Sequence, residues 1–293
     1  MAQDKVLPTN DLMYKKTFAS EGNEDITIGL IHDFFGFKPE KLTLKTPYDI
    51  DSYSALVESE RITELRRRIK DVSASMATSD FIGEMQLKKL RFWDERFFLY
   101  LRDQYRSNYS EAEKMVKMAA DAEEKGAAPR VNRHSSLKPV YQLTILGENH
   151  YPDAYPLRIF EPYYTKRKLK HLKQPYKQAF FELEKGKSKL DAANQKHWHD
   201  YFVRGEVSAE APVYIQKATG LLTVANLSEK EREVMSLVER AVADYEADMA
   251  DAQHENSCRI ARNMLAKNYS VDDIHELTGL DMDTIEELSA QPV

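Results

Sequence analysis

The sequence predicts a mixed α/β (α+β) domain followed by an α-helical tail, and three stretches carry that expectation. Residues 69–88 alternate apolar and polar side chains with a period of two on either side of a Thr78-Ser79-Asp80 turn, the mark of two short strands. Val140–Leu146 is a short, mostly apolar run of the length of one buried strand. Beyond Thr223 the chain changes to long, charged, amphipathic segments of helical spacing. The domains are therefore expected at 1–222 and 223–293, the second acidic and helical.

Taken in order, Asn10 could cap a short helix through Phe18. Asp25 reads as the N-cap of a helix carrying Ile26, Leu30, Ile31, Phe34 and Phe35, stopped at Gly36 and Pro39. Strands are expected at 41–44, around 54–59, and on both sides of the 78–80 turn. Residues 87–109 have helical spacing. The Ala-, Glu- and Lys-rich residues 111–129 read as a solvated helix ending near Gly126, or as an excursion from the core. Leu157–Phe160 is a second strand candidate, and residues 176–183 and 191–202 read as helices. Residues 270–288 have a helix, Gly-containing turn and helix rhythm. Asp281, Asp283, Glu286 and Glu287 would repel phosphates there, so that piece is expected to be structural or to contact protein.

At 293 residues, 42% hydrophobic and 31% charged, the chain is long enough for a sizeable core. No apolar run approaches the roughly 20 residues of a membrane-spanning helix, and the first residues lack the apolar centre of a signal peptide. Cys258 is the only cysteine, which excludes an internal disulfide framework and points to a reducing cytoplasm. The net charge of −6 argues against a generic nucleic-acid coat protein, but it is unevenly spread. Residues 130–189 hold 13 Lys/Arg against 5 Asp/Glu, whereas residues 223–293 hold 6 against 16. One polyanion-facing surface on an otherwise acidic protein fits this pattern.

The chemistry concentrates in residues 69–88. Side chains two apart on a strand share a face, so Glu84, Gln86 and Lys88 are expected together. If the two strands pair as a hairpin, Asp71 can converge with Glu84. Two carboxylates brought together repel unless a hard cation lies between them, and Mg²⁺ is commonly held by one or two carboxylates with water. The plain alternative is two surface acids, with Asp71 balanced by Lys70. His197 and His199 are two apart and diverge on a helix, so zinc is not suggested. No Gly-rich phosphate loop or Gly-x-Ser-x-Gly turn is present.

Asp71 followed by Glu84-Met85-Gln86 resembles the Asp…(Asp/Glu)-x-Lys core of the metal-dependent PD-(D/E)xK nucleases. It is most similar to their Rpn branch of recombination-promoting, transposase-like nucleases, in which Gln commonly replaces Lys. Further stretches fall in that family's order. They are Asp11-Leu12-Met13-Tyr14-Lys15-Lys16-Thr17-Phe18, Arg96-Phe97-Phe98-Leu99-Tyr100, residues 137–146 and Phe181-Glu182-Leu183-Glu184-Lys185; together they span roughly residues 10–200. The resemblance implies a restriction-endonuclease-like core, a mixed sheet flanked by helices in the order helix, strand hairpin, helix, strand. It implies DNA as partner, Mg²⁺ or Mn²⁺ as cofactor, and metal ligands Asp71, Glu84 and the Met85 backbone carbonyl.

Gln86 would then orient the attacking water, and Lys88 is the candidate for the charge that the superfamily's Lys supplies. Lys15, Lys16 and Arg96 are candidate phosphate contacts, each with a surface ion pair as the ordinary alternative. Lys166, Arg167, Lys168 and Lys170, beside Tyr163, Tyr164 and Tyr176, form the strongest polyanion-binding stretch or else a solvated basic face. Three functions follow: a metal-dependent DNA endonuclease serving recombination, DNA mobility or defence against foreign DNA; a catalytically inactive nuclease fold that binds nucleic acid or protein; and a scaffold working through its acidic tail. Oligomerisation of the chain with itself stays open.

Overall fold

The computed structural model describes residues 5–59, 72–88, 93–123, 137–166, 169–170 and 175–290. The chain divides into two compact units, Met1–Arg232 and Glu233–Val293. In chain order the first contains α1 (Asp11–Phe18), α2 (Glu24–Phe35), β1 (Leu42–Leu44), α3 (Ile50–Ser59), β2 (Val72–Met76), β3 (Asp80–Gln86), α4 (Trp93–Glu123) and β4 (Val140–Leu146). It continues with β5 (Leu157–Phe160), β6 (Tyr163–Tyr164), β7 (Leu169–Lys170), β8 (Tyr176–Glu182), α5 (Ala193–Arg204) and α6 (Val213–Gly220), and reaches the start of α7 (Glu229–Leu265).

Among the described residues one six-stranded sheet has the order β1-β2-β3-β4-β8-β5. β1, β2 and β3 form an antiparallel meander, β3, β4 and β8 run parallel, and β5 returns antiparallel at the edge. The mixed α/β class, with helices packed on the sheet, matches the expectation. Ladder partners share a face, so the register sorts the side chains. On one face lie Val72, Ala74, Phe81, Met85, Leu143, Ile145, Ala179 and Phe181, all buried. α2 covers it, with Phe34 against Phe181 (5.1 Å between ring centroids) and Phe35 against Tyr141 (5.3 Å). Phe18 of α1 meets Trp198 and Phe202 of α5 at 5.9 and 6.0 Å, closing the main core.

The opposite face is polar in its middle. Its rows across β3, β4 and β8 are Asp80–Val140–Tyr176, Ile82–Gln142–Gln178, Glu84–Thr144–Phe180 and Gln86–Leu146–Glu182. α4 lies over one end, where Leu101 and Tyr105 pack on Ile82, Val140 and Tyr176. This face buries carboxylates and carboxamides, each of which must be matched by a partner to be tolerated.

Several elements depart from the sequence reading. Residues 54–59, expected to be extended, belong to α3, because Asp49 accepts from the Ser52 N–H (2.9 Å) and sets up a helix start. Residues 176–182, expected to be helical, are β8. Ala179, Phe180 and Phe181 are buried on both sides between β4 and β5, and such a continuous apolar run carries no period to distinguish helix from strand. The helix expected from Asp25 begins at Glu24, and its C-terminus is Gly36 in the left-handed region (φ 78°), as its position predicts. The helices expected at 87–109 and 111–129 meet in one element, α4. Among the described residues no helix is long and apolar enough to cross a membrane.

The composition change at 222–223 falls inside the first unit, since Glu231 is tied back to it. Its carboxylate accepts from Lys16 Nζ (2.8 Å) and from the Tyr48 hydroxyl (2.8 Å). The second unit contains the rest of α7, α8 (Val271–Thr278) and α9 (Met282–Ala290). Ser270 caps α8 through the Asp273 N–H, and Gly279 ends it at φ 70°. Ala261, Ile274, Leu280, Ile285 and Leu288 make its own small core, with Cys258 and Met264 packed against it. With 4 Lys/Arg and 14 Asp/Glu in residues 233–293, this unit carries a net −10, and residues 1–232, with the remaining 38 and 34, carry +4.

Candidate functional site

The expected catalytic stretch closes β3. Glu84 is 4% exposed and lies on the polar face; Gln86, also buried, shares that face at the strand's last position. Gln86 Nε2 donates to the Lys88 carbonyl (2.8 Å), which leaves the amide oxygen as an acceptor. Lys88 lies beyond the end of the strand, so it does not continue the face as expected. Its side chain is 67% exposed, with Nζ 3.9 Å from Glu148, a loose surface pair of small energetic weight. Asp71 lies outside the described residues, as do Arg167 and Lys168.

The direction of the Met85 carbonyl follows from the ladder. The Asp80 N–H donates to the Pro139 carbonyl (2.8 Å) and the Gln86 carbonyl accepts from the Gly147 N–H (2.9 Å), so even-numbered residues of β3 turn their backbone toward β4. Successive peptide groups alternate in a strand, and the Met85 carbonyl therefore faces the β2 side. Among the described residues, the last pair on that side is Val72 with Gly83. Gly83 itself admits the Tyr14 hydroxyl of α1, which would lie 2.8 Å from a Cβ at that position.

Beside Glu84 the face carries groups that sequence reading passed over. Thr144 is its ladder partner and Gln142 is two residues before Thr144; both are 0% exposed. Gln178 Nε2 lies 3.4 Å from Gln142 Oε1, and this contact sets the direction of the Gln142 amide. Thr144 Oγ1 and Gln142 Nε2 have no hydrogen-bond partner among the described residues. Leaving such a group unpaired in the interior costs about 1–3 kcal/mol. The signal was available: Gln142 and Thr144 are polar residues two apart in an otherwise apolar strand, so they had to share a face.

Two charged knots flank this row. Asp80 accepts from Gln104 Nε2 (2.9 Å) and lies 3.4 Å from Lys45 Nζ, which also reaches Asn108 and Glu111. Tyr105, nearby on α4, is pushed up to about 12 by burial and by the neighbouring Tyr176 and Asp80. At the end of β8, Glu182 is 0% exposed and accepts from Lys185 Nζ (2.6 Å), from the His150 and Tyr151 N–H groups (2.6 and 3.0 Å), and from Arg158. Burial alone would raise its pKa; these donors outweigh that and hold it below the ordinary carboxylate range. Glu182 thereby clamps the loop after β4, which begins with the Gly147 N–H on the Gln86 carbonyl.

The other expected contacts are dispersed. Lys15 is half-buried on α1. Lys16 is held by Glu231 and by the Asn226 carbonyl (2.9 Å). Arg96 falls in α4 and Lys170 in β7, while Lys166 is exposed just after β6. His199 Nε2 lies 2.8 Å from the Lys185 carbonyl, a structural contact. Among the described residues no group of three or more His, Cys, Asp or Glu side chains is placed to hold a metal ion. The pattern under consideration needs two carboxylates and a backbone carbonyl, and of these Glu84 and Met85 lie within the described residues. Hard oxygen donors on a buried polar face suit Mg²⁺ or Mn²⁺. Compared with protein-family models, with curated proteins and with solved structures, the chain matches none.

Proposed function

We propose that this protein is a divalent-metal-dependent DNA endonuclease of the PD-(D/E)xK kind, with its centre at the open end of the β2–β3 hairpin. The observation that carries the reading is the position of Glu84-Met85-Gln86. Glu84 is buried on the polar face, the Met85 carbonyl faces the β2 side, and Val72 pairs with Gly83 one step away. The reading takes Asp71, the residue before Val72 in sequence, as the second carboxylate, converging with Glu84 across the hairpin. The order of α2, β1, the β2–β3 hairpin, the next helix α4 and the parallel β4, with α3 intervening between β1 and β2, also fits the helix, hairpin, helix, strand order that the resemblance implies.

In this reading Asp71, Glu84 and the Met85 carbonyl would hold Mg²⁺ or Mn²⁺. When bound there, such an ion would supply positive charge for the phosphoryl oxygen and make a nearby water more acidic. Gln86 accepts a hydrogen bond from the attacking water through its amide oxygen, since its amide nitrogen is committed to Lys88. Lys88 is free in solvent to meet a phosphate once its loose pair with Glu148 parts. Lys166, with Arg167, Lys168 and Lys170, supplies sequence-independent attraction for the DNA backbone. Recombination, DNA mobility and defence against foreign DNA are the roles such an activity would serve.

The test is nicking of supercoiled plasmid with Mg²⁺ or with EDTA. Wild type nicks only with metal, and Asp71→Asn or Glu84→Gln each lowers the rate about 100-fold or more, the loss of several kcal/mol of transition-state stabilisation. Nicking that survives EDTA or both substitutions refutes the assignment. Binding without nicking, weakened by salt, favours an inactive nucleic-acid-binding fold instead.

A further inference from the structure

We infer that Thr144 and Gln142 are positioning residues that hold and orient water beside Glu84. The inference rests on the metal-centre reading above. It starts from the two unpaired atoms, Thr144 Oγ1 and Gln142 Nε2, both on fully buried side chains of the central strand. Native interiors leave few such groups unsatisfied, and the usual partner of a buried polar group that lacks a protein one is an ordered water with two to four polar contacts.

The register says where that water sits. Thr144 is directly beside Glu84, on strands about 4.8 Å apart, and Gln142 is two residues along the same face. Apolar packing bounds the spot on both sides. Ile82, Leu101 and Val140 cluster toward the start of the strands, and Leu146 packs with Phe180, which flanks Thr144 on the side away from Glu84. The water is therefore placed between the Glu84–Thr144 and Ile82–Gln142 rows, beside both unpaired atoms. Gln178 engages the Gln142 oxygen and so leaves the Gln142 amide nitrogen as a donor without a protein partner among the described residues, while the Thr144 hydroxyl both donates and accepts.

This complementarity suits one class of ligand. Mg²⁺ and Mn²⁺ bound by one or two carboxylates keep several of their waters, and those waters need fixed hydrogen-bond partners. A hydroxyl and a carboxamide one strand away from the ligating carboxylate provide such partners without adding charge. They are positioning residues rather than ligands, and outer partners of this kind contribute about 10–100-fold in metal affinity or activity.

The experiment measures Mn²⁺ uptake by the intact protein, following the free Mn²⁺ signal by electron paramagnetic resonance, with plasmid nicking in parallel. Thr144→Val and Gln142→Met keep size and remove the hydrogen-bonding groups. Thr144→Val is expected to fold with an unchanged or raised melting temperature, Gln142→Met with a lowered one because Gln178 Nε2 loses its acceptor, and both to bind Mn²⁺ about 10–100-fold more weakly. Thr144→Ser, which keeps the hydroxyl, is expected to bind within about threefold of wild type. Wild-type affinity in Thr144→Val and Gln142→Met, with uptake abolished in Glu84→Gln, overturns the positioning role and leaves the metal centre standing. No uptake by wild type overturns both. If Thr144→Val does not fold, Gln142→Met and Thr144→Ser decide: wild-type affinity in Gln142→Met overturns the inference, and weakened binding there with near-wild-type binding in Thr144→Ser supports it.

Discussion

The hydroxyl of Tyr14 on α1 occupies the space that a side chain on Gly83 of β3 would need, 2.8 Å from where its Cβ would stand. Because Gly83 immediately precedes Glu84, this close approach fixes how the first helix and the candidate catalytic strand meet. Gly83→Ala is expected to destabilise the protein by about 1–3 kcal/mol, the ordinary cost of overpacking. Tyr14→Phe should relieve much of that cost in the double variant. Urea unfolding of the four proteins checks it; additive losses, with no coupling between the two sites, would show that the contact does not carry the strain.

The Glu182 knot makes a pH-dependent prediction. Its donors depress the carboxyl pKa in the folded state, so its stabilisation is present above the unfolded carboxyl value of about 4.3 and is lost as pH falls through the folded value. Glu182→Gln is expected to be less stable at neutral pH by about 3–5 kcal/mol, because Lys185 and Arg158 lose their buried counter-charge. The gap from wild type should close on acidification below about pH 4. Thermal unfolding from pH 7 to pH 3 measures it, and a gap of constant size would contradict the assignment.

Asp33 offers a third test, in the main core. Its buried carboxylate accepts from Trp198 Nε1 (2.9 Å), the Tyr214 hydroxyl (2.7 Å) and Asn194 Nδ2 (2.8 Å), joining α2 to α5 and α6. Burial and this carboxylate raise the Tyr214 pKa above its ordinary value. Asp33→Ala leaves the Trp198 indole N–H without its acceptor and the Tyr214 hydroxyl with only the Asn194 amide (3.2 Å), and is expected to cost about 1–3 kcal/mol. Tryptophan fluorescence of folded and unfolded protein should report the change, and a variant as stable as wild type would remove Asp33 from the account.

Much of the strand hairpin is legible in residues 69–88, because Val72, Ala74 and Met76 alternate with serines and Thr78-Ser79 supplies the turn. α1 and the Gly36 terminus are equally legible from Asn10 and the glycine itself, whose side-chain cap and left-handed backbone are local properties. β8 is not, since Ala179-Phe180-Phe181 is apolar on both faces and only the neighbours β4 and β5 decide that it is extended. That Gln142 and Thr144 share a face is legible from their spacing; that this face adjoins Glu84 is not. Thr144 and Gln142 acquire meaning only from a parallel register with β3, a pairing between residues some sixty apart in sequence. Glu182 stands in one of the stretches that carry the resemblance, while its role as the clamp of the loop after β4 depends on Arg158, Lys185 and two backbone N–H groups that no local spacing brings together.

The sharing of one divalent ion by Asp71 and Glu84 is tested most directly by anomalous diffraction from crystals soaked in Mn²⁺. A peak about 2.0–2.4 Å from a carboxylate oxygen of each residue and from the Met85 carbonyl is the predicted result. Full occupancy elsewhere with none between Asp71 and Glu84, or carboxylates on opposite faces of the sheet, would contradict it.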